Sequence, residues 1–432
     1  YGLGDAATNF VWGTLMVFLN YFYTDVFGLD PAVVGTLMLV CRFGDGITDV
    51  LMGVLADRCN FRWGKFRPWV LGTAIPFGVL AVLTFSTPDL EAQGKLIYAY
   101  VTYTLLIVVF TANNVPYSGV MTDDSAERTR LSTYRFVCAF GGAFVVKVMN
   151  GPMVEYFGQG DEALGYRLTM TVFAVVGAVF FFITFFGTKE RVKPKPRGET
   201  HLWKEVRDLL TNRPWLMLFA VGLSFLVAQT VRQSGTLYYF EYYLDNKSMA
   251  GTYLGITALA GFFGVLLTPK LTARWGSRKV VMGCMVVMGL ASVALFFVGR
   301  TGVVPTIILG IITDGASGPV VVLFFARIAD AADFSEWKTG RRATGLFYSA
   351  GTLSFKLGSG IGGALTAFAL SQTGYVAGAV QSAEALGGIQ LPMSLLPAAG
   401  CLIGFVAFWF YPLTETKIAQ IKSDLAARRA VG

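Results

Sequence analysis

The stretch Arg42-Phe-Gly-Asp-Gly-Ile-Thr-Asp49 lies inside an apolar segment, Pro31 to Leu55, that is long enough to cross a membrane as a helix. Asp45 and Asp49 are four residues apart, so they share one face of that helix. An ionised carboxylate at membrane depth costs about 2.5–3.5 kcal/mol on insertion scales, so such residues are usually paired, solvated or functional. What the two carboxylates face therefore decides what this chain can do.

The composition argues against a large soluble enzyme. Of the 432 residues, 54% are hydrophobic and only 14% are charged, and the mean hydropathy is +0.57. Soluble proteins contain about 25% charged residues. The net charge of +8 predicts no nucleic-acid partner, because the basic residues are confined to a few loops between apolar runs. The five cysteines show no metal-ligand spacing.

Twelve segments are long and apolar enough to span a bilayer, which predicts an all-α integral membrane protein. They are 6–28, 31–56, 66–87, 95–118, 130–154, 166–187, 214–240, 248–272, 278–299, 303–329, 343–371 and 391–412. The connecting loops alternate between rich and poor in Lys and Arg. By the positive-inside rule, both termini and the basic loops are expected to be cytoplasmic.

The longest basic break predicts a division of the chain into two six-helix bundles. The predicted parts are an N-terminal bundle, 1–187, a cytoplasmic middle loop, 188–213, a C-terminal bundle, 214–412, and a cytoplasmic tail, 413–432. Similar Trp-Gly motifs between basic residues follow the second span, at 62–67, and the eighth, at 274–278. Such a motif could simply end a helix at the interface, but the matched positions favour an internal repeat, which is typical of secondary transporters. The tail is expected to be a solvated or membrane-surface helix.

Asp45 and Asp49 admit three interpretations. They could pair structurally with a cation such as Arg42, three residues before Asp45. They could share a proton, because two close carboxylates in a low dielectric do not both stay ionised cheaply. They could also bind a hard monovalent cation such as Na⁺ through oxygen ligands, with the hydroxyls of Thr48 and Thr111 completing the site.

Polar side chains on the first and fourth spans form a second candidate site. Asn113 and Asn114 precede Pro116, which removes a backbone donor and loosens the helix. Amides beside such a kink suit hydrogen bonding to a polyhydroxylated ligand, although they could equally join helices. Asn9 and Trp12 give the first span a similar polar and aromatic face, which could also be ordinary core.

The sequence lacks the parts that ATP-driven transport or hydrolysis would need. Nothing matches Gly-x-x-x-x-Gly-Lys-Ser/Thr, and the single His, His201, leaves no Ser/His/Asp arrangement. The chain is therefore expected not to be an enzyme and to carry no cofactor. Uphill transport would draw its energy from a gradient of Na⁺ or H⁺.

The chain resembles the glycoside–pentoside–hexuronide:cation symporters of the major facilitator superfamily, typified by the melibiose permease. The motifs that carry the resemblance are at 1–5, 21–29, 45–49, 62–69, 114–117, 127–132, 333–341 and 374–375. The resemblance implies the major facilitator fold in a bacterial inner membrane, a small-molecule sugar as substrate, the lipid bilayer as surroundings and a monomeric transporter working by alternating access.

The resemblance also implies roles for individual residues. The cation site would comprise Asp45, Thr48, Asp49 and Thr111, and the sugar site Asn9, Trp12, Asn114, Arg135 and Lys356. Further pocket residues would be Asn113, Tyr117, Ser118 and Arg232. A cytoplasmic gate is expected from Arg62, Lys65 and Arg67 opposite Asp330, Asp333, Glu336, Arg341 and Arg342.

The residues of the predicted sugar site depart from the family pattern. Where the melibiose permease has two Asp and a Trp, this chain has Asn9, Asn114 and Ser118. With two acids missing and Arg135 and Lys356 present, such a cavity is expected to tolerate an anionic sugar, a hexuronide or a sulfonated sugar. A neutral pentoside or glucoside, or a lysolipid carried by the same fold, stays an open alternative.

Overall fold

The computed structural model describes residues 2–58, 67–113, 125–190, 207–300, 302–340 and 344–431, and leaves aside the side chains of some helical residues, including Asp49. The helices are α1 (Gly2–Tyr21), α2 (Pro31–Arg58), α3 (Arg67–Thr84), α4 (Ala92–Asn113), α5 (Ser125–Gly158), α6 (Glu162–Gly187), α7 (Arg213–Tyr238), α8 (Met249–Trp275), α9 (Ser277–Val298), α10 (Val303–Thr339), α11 (Thr344–Gln372), α12 (Ala383–Gln390), α13 (Leu395–Trp409) and α14 (Glu415–Val431). No strand occurs in these ranges. The predicted all-α fold class is confirmed.

Ten of the helical segments in the described ranges are long and apolar enough to cross a membrane. They begin at α3 and include α12 and α13 as one segment, Ala383–Trp409. Pro392 explains the break within that last segment, because it has no N–H to continue the helix, and a short 3₁₀ turn, Leu391–Met393, joins the two parts. The helices α1 and α2 complete the twelve expected spans, and they carry the polar residues discussed above.

Local sequence sets several helix ends. Pro31 occupies the first turn of α2, where its missing N–H costs nothing, and the Asp30 carboxylate accepts from Ala32 N at 2.8 Å. The Asp161 side chain caps α6 by accepting from Leu164 N. Gly340, with φ 71°, ends α10 in the left-handed conformation that glycine adopts most easily.

The chain divides into two compact units, and the division does not follow chain order. Unit 1 comprises Tyr1–Pro196, Gln233–Gly255 and Gly363–Ile389, and unit 2 comprises Arg197–Arg232, Ile256–Gly362 and Gln390–Gly432. Unit 1 thus contains α1 to α6 together with one end of α7, of α8 and of α11. The division into two six-helix bundles at 188–213 stays a prediction.

In unit 1, α1 packs between α5 and α6, and α2 packs against α4. Glycine permits the closest approach: a Cβ added at Gly142 of α5 would lie 2.7 Å from the carbonyl oxygen of Ala6. Because α1 is enclosed on both sides, its polar residues are held in fixed positions against α2, α4 and α5.

In unit 2, the tail helix α14 is part of the core. Ile421 and Leu425 are buried in one apolar cluster with Trp215 and Phe347, and α14 packs along α10. The Trp337 indole N–H donates to Asp424 at 2.9 Å. The tail is helical, as expected: its apolar face covers the C-terminal part of α10, and most of its other residues are exposed.

The first helix of each sequence half ends in the same unusual turn. Five-residue π-helical turns follow α1, at Phe22–Val26, and α7, at Tyr239–Tyr243. Their backbone hydrogen bonds match, with Phe27 N donating to Phe22 O and Leu244 N to Tyr239 O. π turns are rare and frequent at functional sites. The match supports an internal repeat, and the motif at 62–67 that suggested one lies outside the described residues.

Candidate cation and sugar sites

The Asp45 carboxylate lies at the contact between α2 and α4. It is 1% exposed, and the Thr111 hydroxyl of α4 donates to its Oδ1 at 2.9 Å. One turn along α2, the Thr48 hydroxyl donates to the backbone carbonyl of Asp45 at 2.9 Å. A hydroxyl that donates keeps its lone pairs. The Thr111 hydroxyl thus meets the Asp45 carboxylate, which gives the oxygen atoms that a hard cation requires, whereas the Thr48 hydroxyl lies at the backbone of Asp45.

Arg42 is the cation beside this cluster. Its Nη1 lies 3.8 Å from Asp45 Oδ2, which is an ion pair but too long for a hydrogen bond. The side chain is 2% exposed, and its guanidinium carbon also lies 5.8 Å from the centroid of the Tyr103 ring on α4. The structural pairing of Arg42 with Asp45 that the sequence allowed is therefore present.

An aromatic stack joins this cluster to α1. The Arg42 guanidinium carbon lies 4.3 Å from the centroid of the Trp12 ring. On α4, Phe110 stacks on Trp12 at 4.7 Å, and Phe110 immediately precedes Thr111. Trp12, a predicted sugar-site residue, thus contacts Arg42, three residues before Asp45, and Phe110, one residue before Thr111. The side chain of Asp49, the fourth predicted cation ligand, lies outside the described residues.

The other predicted sugar residues of unit 1 lie along α1 and α5. The Asn9 amide donates to the Asp5 carbonyl at 2.8 Å, one turn before it on α1. Arg135 Nε donates to Asp5 Oδ2 at 2.6 Å, joining α5 to α1. Asn113, at the end of α4, is partly buried. Asn114, Tyr117 and Ser118 lie outside the described residues.

Unit 2 contains two further residues of the predicted sugar site and pocket, Lys356 and Arg232. Lys356 lies on α11, and its backbone carbonyl accepts from the Ser359 hydroxyl at 2.7 Å. Arg232 of α7 forms a buried ion pair with Asp314 of α10, and Gln229 accepts from Arg232 at 3.1 Å. Sequence reasoning overlooked Asp314. Its signal was visible, since it is an acid in the middle of the predicted tenth span.

The predicted gate residues that the structure describes have partners within their own units. In unit 1, Arg67 donates to the Phe185 carbonyl at 2.7 Å. In unit 2, Asp330 pairs with Arg327 at 3.3 Å and with Lys422 of α14 at 2.9 Å. Asp333 and Glu336 follow on α10. Arg62, Lys65, Arg341 and Arg342 lie outside the described residues. The gate stays a prediction.

A second polar cluster of unit 1, which we call the outer network, centres on Asp25 in the π turn after α1. Three hydroxyls donate to its carboxylate: Thr24 at 2.6 Å, Tyr242 at 2.5 Å and Tyr375 at 2.5 Å. Asp25 is therefore enclosed rather than solvated, because Tyr242 and Tyr375, distant in sequence, surround the carboxylate with hydroxyl donors.

Lys247 adds an ionic part to the outer network. Its ammonium group donates to the Tyr21 hydroxyl at 2.6 Å and pairs with Glu162 at 2.5 Å and Glu241 at 3.2 Å. The amide of Asn20, the residue before Tyr21, donates to the Gly363 carbonyl at 2.8 Å. The outer network therefore joins segments from both halves of the chain, and nothing in the sequence pattern indicated it.

In the described part of the chain, ten apolar helical segments of membrane-spanning length, matched π turns and buried charges on the helices are features of a transporter of the major facilitator type. The solved structure of a bacterial homolog of the human lysosomal transporter Spinster, inward-facing and unoccupied, superposes with a TM-score of 0.69 at 14% identity, covering 97% of each chain. The sequence matches the model of the MFS/sugar transport protein family over residues 1–415. The chain belongs to this family.

Curated relatives are similar over the whole chain. YagG of Escherichia coli (strain K12), a proposed glycoside/cation symporter, is 37% identical, covering 100% of this chain and 94% of the relative. The isoprimeverose transporter of Lactiplantibacillus pentosus is 34% identical, covering 100% and 91%. A glucuronide carrier protein homolog of Escherichia coli (strain K12) is 32% identical, covering 100% and 95%. The predicted family is confirmed.

Proposed function

We propose that this chain is a cation-coupled symporter that carries a sugar or glycoside across a bacterial inner membrane by alternating access. The observation that carries the proposal is the buried contact between the Thr111 hydroxyl and the Asp45 carboxylate. It places oxygen atoms from two helices at one point, with the Arg42 guanidinium 3.8 Å from the same carboxylate. The names of the relatives support the same function.

Ion and sugar would be coupled through contact between their sites. A coupling ion, Na⁺ or H⁺, would bind at Asp45 and Asp49 with the hydroxyls of Thr48 and Thr111. Trp12 lies between this cluster and the polar face of α1 that carries Asn9. Binding of the ion should then raise sugar affinity by a coupling free energy of about 1–3 kcal/mol.

The charges favour a neutral sugar over an anionic one. The expectation of an anionic substrate rested on Arg135 and Lys356, with Arg232 as a further pocket residue. Of these, Arg135 is paired with Asp5 and Arg232 with Asp314. A neutral glycoside or pentoside needs only hydrogen bonds from amides and hydroxyls, whereas an anion would have to compete with these carboxylates.

The test is uptake into right-side-out membrane vesicles with a panel of sugars, with a Na⁺ gradient and a pH gradient imposed separately. One gradient should drive accumulation of a neutral glycoside, and the matching glucuronide should compete more weakly. Stronger competition by the glucuronide would overturn the substrate class. Uptake that responds to neither gradient would overturn the symport proposal.

The remaining expectations are part of the proposal. The termini and the basic loops would face the cytoplasm, and the residues 1–187 and 214–412 would form the two bundles that rock around the central site. The acidic residues of α10, Asp330, Asp333 and Glu336, would close the inner side against the basic loop at 62–67.

A further inference from the structure

The connection between α8 and α9 in unit 2 concentrates positive charge. Gly276, with φ 75°, lies between the end of α8 and the start of α9, so the two helix ends stay close together. No Asp or Glu occurs in the sequence from 246 to 313. We call residues 270–279 the basic turn. Its basic residues are Lys270, Arg274, Arg278 and Lys279.

A single acid from elsewhere in unit 2 contacts the basic turn, and it is engaged by other groups. The backbone N–H and the hydroxyl of Ser277 donate to Glu415 at 2.8 and 2.9 Å, and the Arg327 guanidinium lies 3.7 Å from the same carboxylate. Arg278 donates to a neutral acceptor, the Trp409 carbonyl of α13, at 2.7 Å. Even with the charge of Glu415 counted, the four basic residues leave the turn positive.

Two of these cations stand on one exposed face of α8. Lys270 and Arg274 are four residues apart, so they are neighbours on the helix surface, and both are exposed. Like charges at this spacing destabilise a helix, so an anion that bridges them would be stabilising. Phe263 and Leu267, 59% and 50% exposed, continue the same face toward the middle of the helix. The face therefore passes from exposed apolar residues to exposed basic ones.

The dimensions of this face match one leaflet of a bilayer. At a rise of about 1.5 Å per residue, Phe263 and Arg274 are about 16 Å apart along α8, close to half of a hydrocarbon core about 30 Å thick. Trp275, at the basic end, is 52% exposed, and the Arg274 guanidinium carbon lies 5.4 Å from the centroid of its ring. Trp409, beside Arg278, is 56% exposed. Exposed tryptophans are typical of the headgroup level.

We propose that the basic turn and this face of α8 form a binding site for an anionic phospholipid. The phosphate lies against Lys270 and Arg274, with the guanidinium donating parallel hydrogen bonds to two phosphate oxygens. An acyl chain lies along Leu267 and Phe263. A phospholipid fits this surface better than a soluble phosphate or an acidic protein, because the apolar part of the face belongs to a membrane span and only acyl chains reach it.

The site is tested by the choice that the protein makes between lipids. The full chain is purified in a neutral detergent, mixed with equal amounts of phosphatidylglycerol and phosphatidylcholine, and its bound lipids are counted by native mass spectrometry. We expect phosphatidylglycerol to be preferred about tenfold, because each cation near the membrane surface attracts anionic lipid. In Lys270→Gln with Arg274→Gln the preference should fall to about twofold or less.

Two further double variants control for charge and for folding. Arg167→Gln with Arg300→Gln removes the same charge from two exposed arginines, one on α6 and one after α9, and should leave the preference unchanged. Lys270→Arg with Arg274→Lys keeps both charges and should retain most of the preference. A loss in this charge-conserving variant equal to that in the glutamine variant would indicate damage to α8 rather than loss of a lipid site.

The role of the acyl chain is tested by competition. Glycerophosphoglycerol, the headgroup without its chains, and inorganic phosphate should each displace phosphatidylglycerol at least about 100-fold less effectively than the intact lipid does, since they lack the buried apolar area. Displacement as effective as that by the intact lipid would overturn the lipid site in favour of a plain anion site.

Thermal unfolding gives a second readout that does not depend on lipid surviving in the mass spectrometer. Phosphatidylglycerol should raise the unfolding midpoint of the unmodified protein by about 2 °C relative to phosphatidylcholine, because a ligand of the folded state stabilises it. The rise should vanish in Lys270→Gln with Arg274→Gln and persist in Arg167→Gln with Arg300→Gln.

The proposal fails if the unmodified protein binds both lipids equally, or if the preference is unchanged in Lys270→Gln with Arg274→Gln. An equal loss in Arg167→Gln with Arg300→Gln would also overturn it, since it would show a general effect of net charge. None of these measurements involves a sugar or a coupling ion, so their outcome is independent of the proposed transport function.

Discussion

Two carboxylates of unit 1, Asp25 and Asp45, lie at contacts between helices, and their surroundings differ in kind. Asp25 accepts from three hydroxyls, and its neighbour Lys247 is paired with two glutamates. Asp45 is the more deeply buried, and it accepts from the Thr111 hydroxyl and lies 3.8 Å from the Arg42 guanidinium. Neutral hydroxyls therefore surround Asp25, whereas the contacts of Asp45 include a buried cation.

The difference is one of position and of partner. Hydroxyl donors at the end of the helices hold Asp25, and such hydrogen bonds stabilise one arrangement of the chain. Asp45 lies within an apolar helix, where a hydroxyl of α4 and an arginine meet its carboxylate, and charges at such depth are usually paired, solvated or functional.

The largest expected effect belongs to Asp45→Asn. Loss of the carboxylate charge should abolish ion-stimulated uptake, a fall of about 100-fold or more in net transport, because the principal anionic ligand is gone. Weak sugar binding that no longer responds to the ion should persist. Uptake driven separately by Na⁺ and pH gradients measures the effect, and an undiminished ion dependence would remove Asp45 from the site.

Asp25→Asn should act mainly on stability. The amide accepts less strongly than a carboxylate, so the hydrogen bonds from Tyr242 and Tyr375 weaken and the protein should lose about 2 kcal/mol of stability. Thermal unfolding in detergent measures the loss. Ion dependence of the remaining transport should be unchanged, and a changed ion dependence would mean that the two carboxylates are not separate in function.

Thr111→Val should have a smaller effect, confined to ion affinity. It removes a neutral oxygen ligand and one hydrogen bond to Asp45 while keeping the side-chain volume, so the half-maximal ion concentration should rise about tenfold. Thr102→Val on the same helix is the control, since that hydroxyl bonds the Tyr98 carbonyl one turn earlier. An equal effect of both substitutions would indicate general damage to α4.

Sequence reasoning reached one of the two clusters and missed the other. The spacing of Arg42, Asp45 and Asp49 marks a shared helix face, and charges in an apolar span are conspicuous, so the Asp45 cluster could be predicted. Thr111 could be offered as a further ligand from its residue type, but its contact with Asp45 depended on the second and fourth spans touching, which the family resemblance also implied.

The outer network could not be predicted in this way. Its partners come from segments more than two hundred residues apart, and Asp25 at the end of a span looks like an ordinary solvated acid. Tyrosines at helix ends are also common at membrane interfaces, so their pattern carried no signal. Only the packing of α1 against the ends of α7 and α11 brings the hydroxyls and the carboxylate together.

The smallest expected effect concerns a third carboxylate, Glu415, which lies outside the spans at the start of α14 and is 58% exposed. The Ser277 hydroxyl and backbone N–H donate to it at 2.9 and 2.8 Å, and these hydrogen bonds hold the pKa of Glu415 below its usual range. A lowered pKa means that the contact stabilises the docked tail at neutral pH and that this stability is lost as the pH falls through the acid range of the carboxyl group.

Glu415→Gln should therefore loosen α14 slightly at pH 7, and the difference from the original protein should shrink as the pH is lowered toward about 4. Limited proteolysis of the tail across this pH range measures it, and Ser277→Ala should reproduce the effect by removing the hydroxyl donor. Because Glu415 is mostly in water, the change should be far smaller than that of either carboxylate in unit 1. A difference that grows as the pH falls would contradict the lowered pKa and show that hydrogen bonding to the charged form does not hold the tail in place.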